Sequence, residues 1–91
     1  MTTKQKIKEL QAMLQAAADL AKEIANESQE KSDYWQTEID EFLRNGFEYN
    51  PNPDLCYGEY YKASNRAKYA DQISRRLESE LEYSDLFKST I

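Results

Sequence analysis

Apolar residues return every three or four positions over residues 3–45, the signature of one long amphipathic helix. The stripe runs Ile7, Leu10, Leu14, Ala17, Ala21 and Ile24, then Ser28, Lys31, Trp35 and Ile39 or Phe42, with Met13 and Leu20 widening its first half. Thr2 or Thr3 is placed to cap its start. Asn45-Gly46-Phe47 is its predicted end, with Gly46 in the left-handed position past the last turn and Phe47 folding back on it. A straight helix over this span is about 65 Å long at about 1.5 Å per residue. The stripe thins over 26–33, where Ser32 or Asp33 offers a cap for a separate helix over 33–45.

Asn50-Pro51-Asn52-Pro53-Asp54 is the turn. A proline keeps the residue before it out of the helical region, so Asn50 and Asn52 are extended. Asn52 as N-cap, Pro53 in the first helical position and Asp54 behind it make a start signal. A second stripe then follows through Cys56, Tyr60, Ala63, Ala67, Ala70, Ile73, Leu77 and Leu81. Gly58 falls inside it at a cost of about 1 kcal/mol relative to Ala, which predicts a loose 53–58 and a firm helix over about 59–87. Ser84 to Phe87 reads as its last turn or as a short separate one.

The fold class is therefore all-α, a single domain with a helix over 3–45, a turn over 46–58 and a helix over 59–87. Folded about residue 51 as an antiparallel, coiled-coil-like hairpin, the chain pairs Trp35 with Ala67, Ile39 with Ala63, and Lys31 and Ser28 with Ala70 and Ile73. Ile24 then meets Leu77, and Leu20 meets Leu81. Two helices cannot cover each other's stripes, and the leftover surface includes Leu10, Met13, Leu14, Leu20, Tyr34 and Tyr69. Pairing of two hairpins into a four-helix bundle covers it. A three-helix bundle broken near residue 32 is the alternative.

Composition agrees with this picture. The 91 residues hold two glycines, two prolines and no valine, which fits long regular helices with few turns. Apolar residues make up 40% and charged residues 32%, enough to fold but with a small core. No run approaches the length of a membrane span, the N-terminus has no signal-peptide core, and a lone Cys56 forms no internal disulfide, so the expected setting is the cytoplasm. An isoelectric point near 4.7 argues against direct contact with nucleic acid or an anionic membrane.

Catalytic templates fail in turn. There is no histidine, which removes the Ser-His and Cys-His pairs and the commonest metal ligand. Paired zinc-type cysteines are absent, and two glycines cannot build a phosphate loop. Glu38 and Glu41 at i,i+3 are a solvated helix face before they are metal ligands. Asp40 and Arg44 make an ordinary i,i+4 pair. Cys56, near a helix start, is either a reactive thiol or a packed one, and its place on the stripe favours packing. No enzyme, cofactor or metal is expected.

Two patches remain. The interruption over 38–61 holds six of the eleven aromatics and six acids (Glu38, Asp40, Glu41, Glu48, Asp54 and Glu59) against one base, Arg44, so its local charge equals the whole chain's −5. Tyrosines give contact area at low entropic cost, and carboxylates steer a basic partner. Glu38, Asp40, Glu41, Glu48, Tyr49, Asp54, Tyr57, Glu59 and Tyr61 are accordingly the candidate partner-binding residues. The competing reading packs Phe42, Phe47, Tyr57 and Tyr60 beneath the loop and leaves the acids solvated. The second patch is basic: Arg66, Tyr69, Arg75 and Arg76 are candidates for holding a nucleotide or other anion, against a plainer role in ion pairs with Glu23, Glu27 and Glu30.

The leading expectation is a non-enzymatic interaction protein: a dimeric hairpin whose acidic, aromatic tip occupies the basic surface of a larger, nucleic-acid-handling protein. Small acidic inhibitors encoded by phages against host enzymes or defence systems, anti-CRISPR proteins among them, are of this type, though the likeness rests on no shared motif. An anion-binding oligomer and a structural assembly component are the alternatives.

Overall fold

The structure, a computed structural model, describes residues 1–45 and 53–88. It comprises α1 (Thr3–Asn45, 43 residues), α2 (Pro53–Tyr83, 31 residues) and α3 (Asp85–Lys88, 4 residues). The roles read for Gly46, Phe47, Asn50 and Asn52 lie outside the described residues.

The first helix is unbroken. No glycine or proline interrupts Thr3–Asn45, and neither Ser32 nor Asp33 starts a new element. Its N-terminus is closed by a reciprocal capping box: the Thr2 amide donates to Gln5 Oε1 at 2.8 Å, and the Gln5 amide donates to Thr2 Oγ1 at 3.2 Å. The second helix begins at Pro53, earlier than the predicted 59, and runs through Gly58. A proline needs no amide partner in the first turn, and helix packing outweighs one glycine. The chain breaks once more at Ser84, whose Oγ accepts from the Leu86 amide at 3.3 Å, and whose carbonyl accepts from the Phe87 and Lys88 amides at 3.2 Å. This separates α3, which packs on both long helices and buries Phe87.

The two long helices pack antiparallel into a rod of 66 × 21 × 14 Å. Its radius of gyration, 19.8 Å, far exceeds the roughly 12 Å of a compact chain of this length. A rod two helices thick has only a seam for a core. On α1 the buried positions are Ala18, Ala21, Ala25, Ser28, Ser32, Ile39 and Phe42, with Leu14 and Trp35 half-buried between them. On α2 they are Cys56, Ala63, Ala67, Ala70 and Ser74, with Tyr60, Leu77 and Leu81 half-buried. Both series alternate steps of four and three, the heptad spacing of a coiled coil.

This corrects the expected stripe at four places. Ala18, Ala25 and Ser32 line the seam where Ala17, Ile24 and Lys31 were expected, and Ser74 lies there in place of Ile73. Ile24 is 41% exposed beside an Ala25 at 6%, and Ile73 is 53% exposed beside a Ser74 at 3%. Small side chains let the helix axes approach towards the short end of the usual 8–10 Å. That gain in backbone contact outweighs burial of two isoleucines.

The register also differs. The Ser74 hydroxyl crosses the seam and donates to the Ala18 carbonyl at 2.9 Å, and Ala25 and Ala67 line one cleft. Ala67 therefore faces Ala25 rather than Trp35, and Ser74 faces Ala18 rather than the Ser28 level. The stagger is displaced by roughly two and a half helical turns from a fold about residue 51. Trp35 comes to the level of the first two turns of α2. The stagger follows from where small residues mesh, not from where the turn is centred.

Candidate functional site

The seam divides the rod into two broad faces, and the cleft that holds Ala25 and Ala67 shows which residues share one. Asn26 and Gln29 of α1 line it together with Ser64, Lys68 and Asp71 of α2, around a space of about 310 Å³. Stepping by heptads from these positions sorts the remaining surface. On this face α1 carries Gln15, Lys22, Gln29 and Gln36, each seven residues apart, and Asp19, Asn26, Asp33 and Asp40 four residues beyond each. Gln15, Gln29 and Gln36 donate through Nε2 to the carboxylates of Asp19, Asp33 and Asp40 at 3.1, 3.0 and 3.0 Å. Each such pair contributes about 0.2–0.5 kcal/mol of helix stability. Asp40 is thus held by Gln36, where Arg44 was expected to pair with it. Arg75 of α2 closes the same face on Asp71 at 2.9 Å.

Near the turn this polar face changes character. Its next positions are Leu43 on α1 and Asp54, Tyr57 and Tyr61 on α2. Leu43 and Tyr61 are more than half exposed, and Tyr57 is just over one-third exposed. Asp40 and Asp54 are exposed beside them. Tyr60 lies half-buried with its ring edge-on to Tyr61 at 5.4 Å. Phe42 and Cys56 are buried. The sequence-predicted tip residues therefore divide. Asp40, Asp54, Tyr57 and Tyr61 share one face, while Glu38, Glu41 and Glu59 take half-buried positions on the opposite one. Lys62 approaches Glu59 at 3.7 Å. Glu48 and Tyr49 lie outside the described residues. Leu43 was missed by sequence reasoning because it sits off the buried stripe. It shares the face of Tyr57 and Tyr61 but lies roughly two to three helical turns nearer the turn.

The basic patch is also divided. Arg66, Tyr69 and Arg76 follow one row on the opposite face, whereas Arg75 points to the polar face and is engaged by Asp71. The ion pairs of this region run within α2, to Glu59 and Asp71, rather than to Glu23, Glu27 and Glu30. Among the described residues no three Cys, Asp or Glu side chains gather closely enough to hold a metal ion, and no helix is long and apolar enough to cross a membrane. Set against known protein families, curated proteins and solved structures, the chain matches none of them.

Proposed function

We propose that this chain is a non-enzymatic interaction module of the cytoplasm that docks the turn end of its hairpin on a basic surface of a larger protein. The observation that carries the reading is the exposure of Tyr57 and Tyr61 on one face, with Asp40, Leu43 and Asp54 further along that face toward the turn. Exposed aromatics flanked by carboxylates supply both anchoring area and electrostatic steering. With Glu38, Glu41 and Glu59 on the other face, the end carries an excess of acids on both faces against Arg44 and Lys62, which suits a cleft built for nucleic acid. Inhibition by occupying such a cleft, as phage-encoded anti-defence proteins do, is the mode of action that follows. The division of Arg75 from Arg66, Tyr69 and Arg76 leaves the anion-binding reading with less support.

The test is affinity capture from a cell lysate with the native chain and with a variant carrying Asp40→Lys, Asp54→Lys and Tyr61→Ala. The expected result is capture of a nucleic-acid-handling protein that is released by salt, competed by duplex DNA and lost with the variant. An identical set of proteins on both baits, or capture indifferent to salt and DNA, overturns the reading.

A further inference from the structure

The face opposite the glutamine-aspartate ladder is apolar over one half of the rod. Its α1 row is Leu10, Met13, Ala17, Leu20 and Ile24, and its α2 row carries Tyr69, Ile73 and Tyr83 with the exposed charges of Arg76 and Glu80 between the last two. The Ala18–Ser74 contact sets the two rows at one level. Met13, Leu20, Tyr69, Ile73 and Tyr83 are each more than half exposed, and Leu10 and Ile24 about two-fifths. At about 200 Å² for a large apolar residue, these seven expose roughly 750 Å². The largest apolar patch of an ordinary monomer is about 300–600 Å², and a standard interface takes about 800 Å² from each partner.

We propose that this face is a self-association surface, on which two copies stack about a twofold axis running along the rod, each α1 lying over the partner's α2. The open halves then form a four-helix bundle. The arrangement is isologous: the Leu-Met-Ile row of one copy meets the Tyr-Ile row of the other, twice. The lengthwise axis brings Glu27 to the level of the partner's Arg66 and lays Arg76 over the partner's Ala17, which outweighs the approach of Lys31 to the partner's Lys62. A crosswise axis centred on the patch sets Arg76 against its own copy instead. Past the apolar half the face carries Glu38, Glu41, Glu59 and Lys62, so a second copy reversed end for end would lay leucines on carboxylates.

Light scattering on the native chain tests this directly. The expected mass is twice the 10.7 kDa of one chain, falling to a single chain for Leu20→Lys with Ile73→Lys while helical circular dichroism persists. Should that double variant lose its helices, Tyr83→Lys at the edge of the patch keeps the test sharp, with an expected tenfold weaker association. Gln29→Lys with Ser64→Lys, on the polar face, leaves the mass doubled. So does the Asp40, Asp54 and Tyr61 variant, which separates this proposal from the docking of the turn end. Cysteines placed by Glu27→Cys and Arg66→Cys give a covalent dimer on a non-reducing gel, where the native chain with its buried Cys56 gives none. A native chain of single mass at the highest soluble concentration overturns the proposal, as does a dimer broken from the polar face but not from the apolar one. Failure of the cysteine pair to cross-link a proven dimer overturns the lengthwise axis.

Discussion

The seam and the open apolar face invert the usual assignment of large and small side chains. The seam buries Ala18, Ala21, Ala25, Ser28, Ala63, Ala67, Ala70 and Ser74, while Leu10, Met13, Leu20, Ile24 and Ile73 face outwards. In a thick domain that exchange would waste burial energy. In a rod two helices wide, close approach of the backbones is the larger source of contact, because dispersion falls off steeply with a gap of even half an ångström. The large side chains are then left for a surface that can be covered from outside. Position within the heptad, and not hydrophobicity alone, tells the two regions apart.

The strongest way to break this comparison is to enlarge the seam. Ala67→Leu is expected to cost about 1–3 kcal/mol by overpacking against Ala25, lowering the melting temperature by several degrees or more for a chain of this size. An unchanged melting temperature contradicts the close-packed seam. Ser74→Ala tests the hydroxyl that crosses it to the Ala18 carbonyl. Loss of that hydrogen bond is expected to cost about 0.5–1.5 kcal/mol in chemical denaturation, with the Ala18 carbonyl still satisfied within its own helix. Gly58 sits on the outer row, and a Cβ added there meets nothing within 4 Å. Gly58→Ala is therefore expected to stabilise by about 0.4–1 kcal/mol, the opposite sign to Ala67→Leu. The smallest effect belongs to the exposed face: Ile73→Ala, measured at dilution where the chain is single, is expected to shift unfolding by less than about 0.5 kcal/mol. A loss of 2 kcal/mol or more, the scale of a buried aliphatic truncation, would return Ile73 to the core.

Much of the fold was legible in the residues. Two long helices and a threonine cap at the N-terminus follow from local chemistry that acts within one turn, as does the start signal at Pro53, which Gly58 led the reading to place too late, and the break at Ser84 was one of two readings. The surplus of Leu10, Met13, Leu20, Tyr34 and Tyr69 was also visible, since two stripes cannot cover one another. Less of the candidate site was legible. The acidic and aromatic character of the turn end is compositional, but the placing of Leu43, Tyr57 and Tyr61 on one face, and the division of Arg75 from Arg66 and Arg76, depend on which face each helix turns to the other.

By itself, then, the sequence determined helicity, helix ends and the hairpin, because capping, proline geometry and helix propensity operate between near neighbours. Tertiary structure alone decided the stagger and the choice of Ala25 over Ile24 and Ser74 over Ile73. Neighbouring positions on a helix differ by about 100°, and either row would bury apolar surface. Only the meeting of two backbones, with the Ser74 hydroxyl reaching the Ala18 carbonyl at 2.9 Å, selects the row of small residues and leaves the row of large ones exposed.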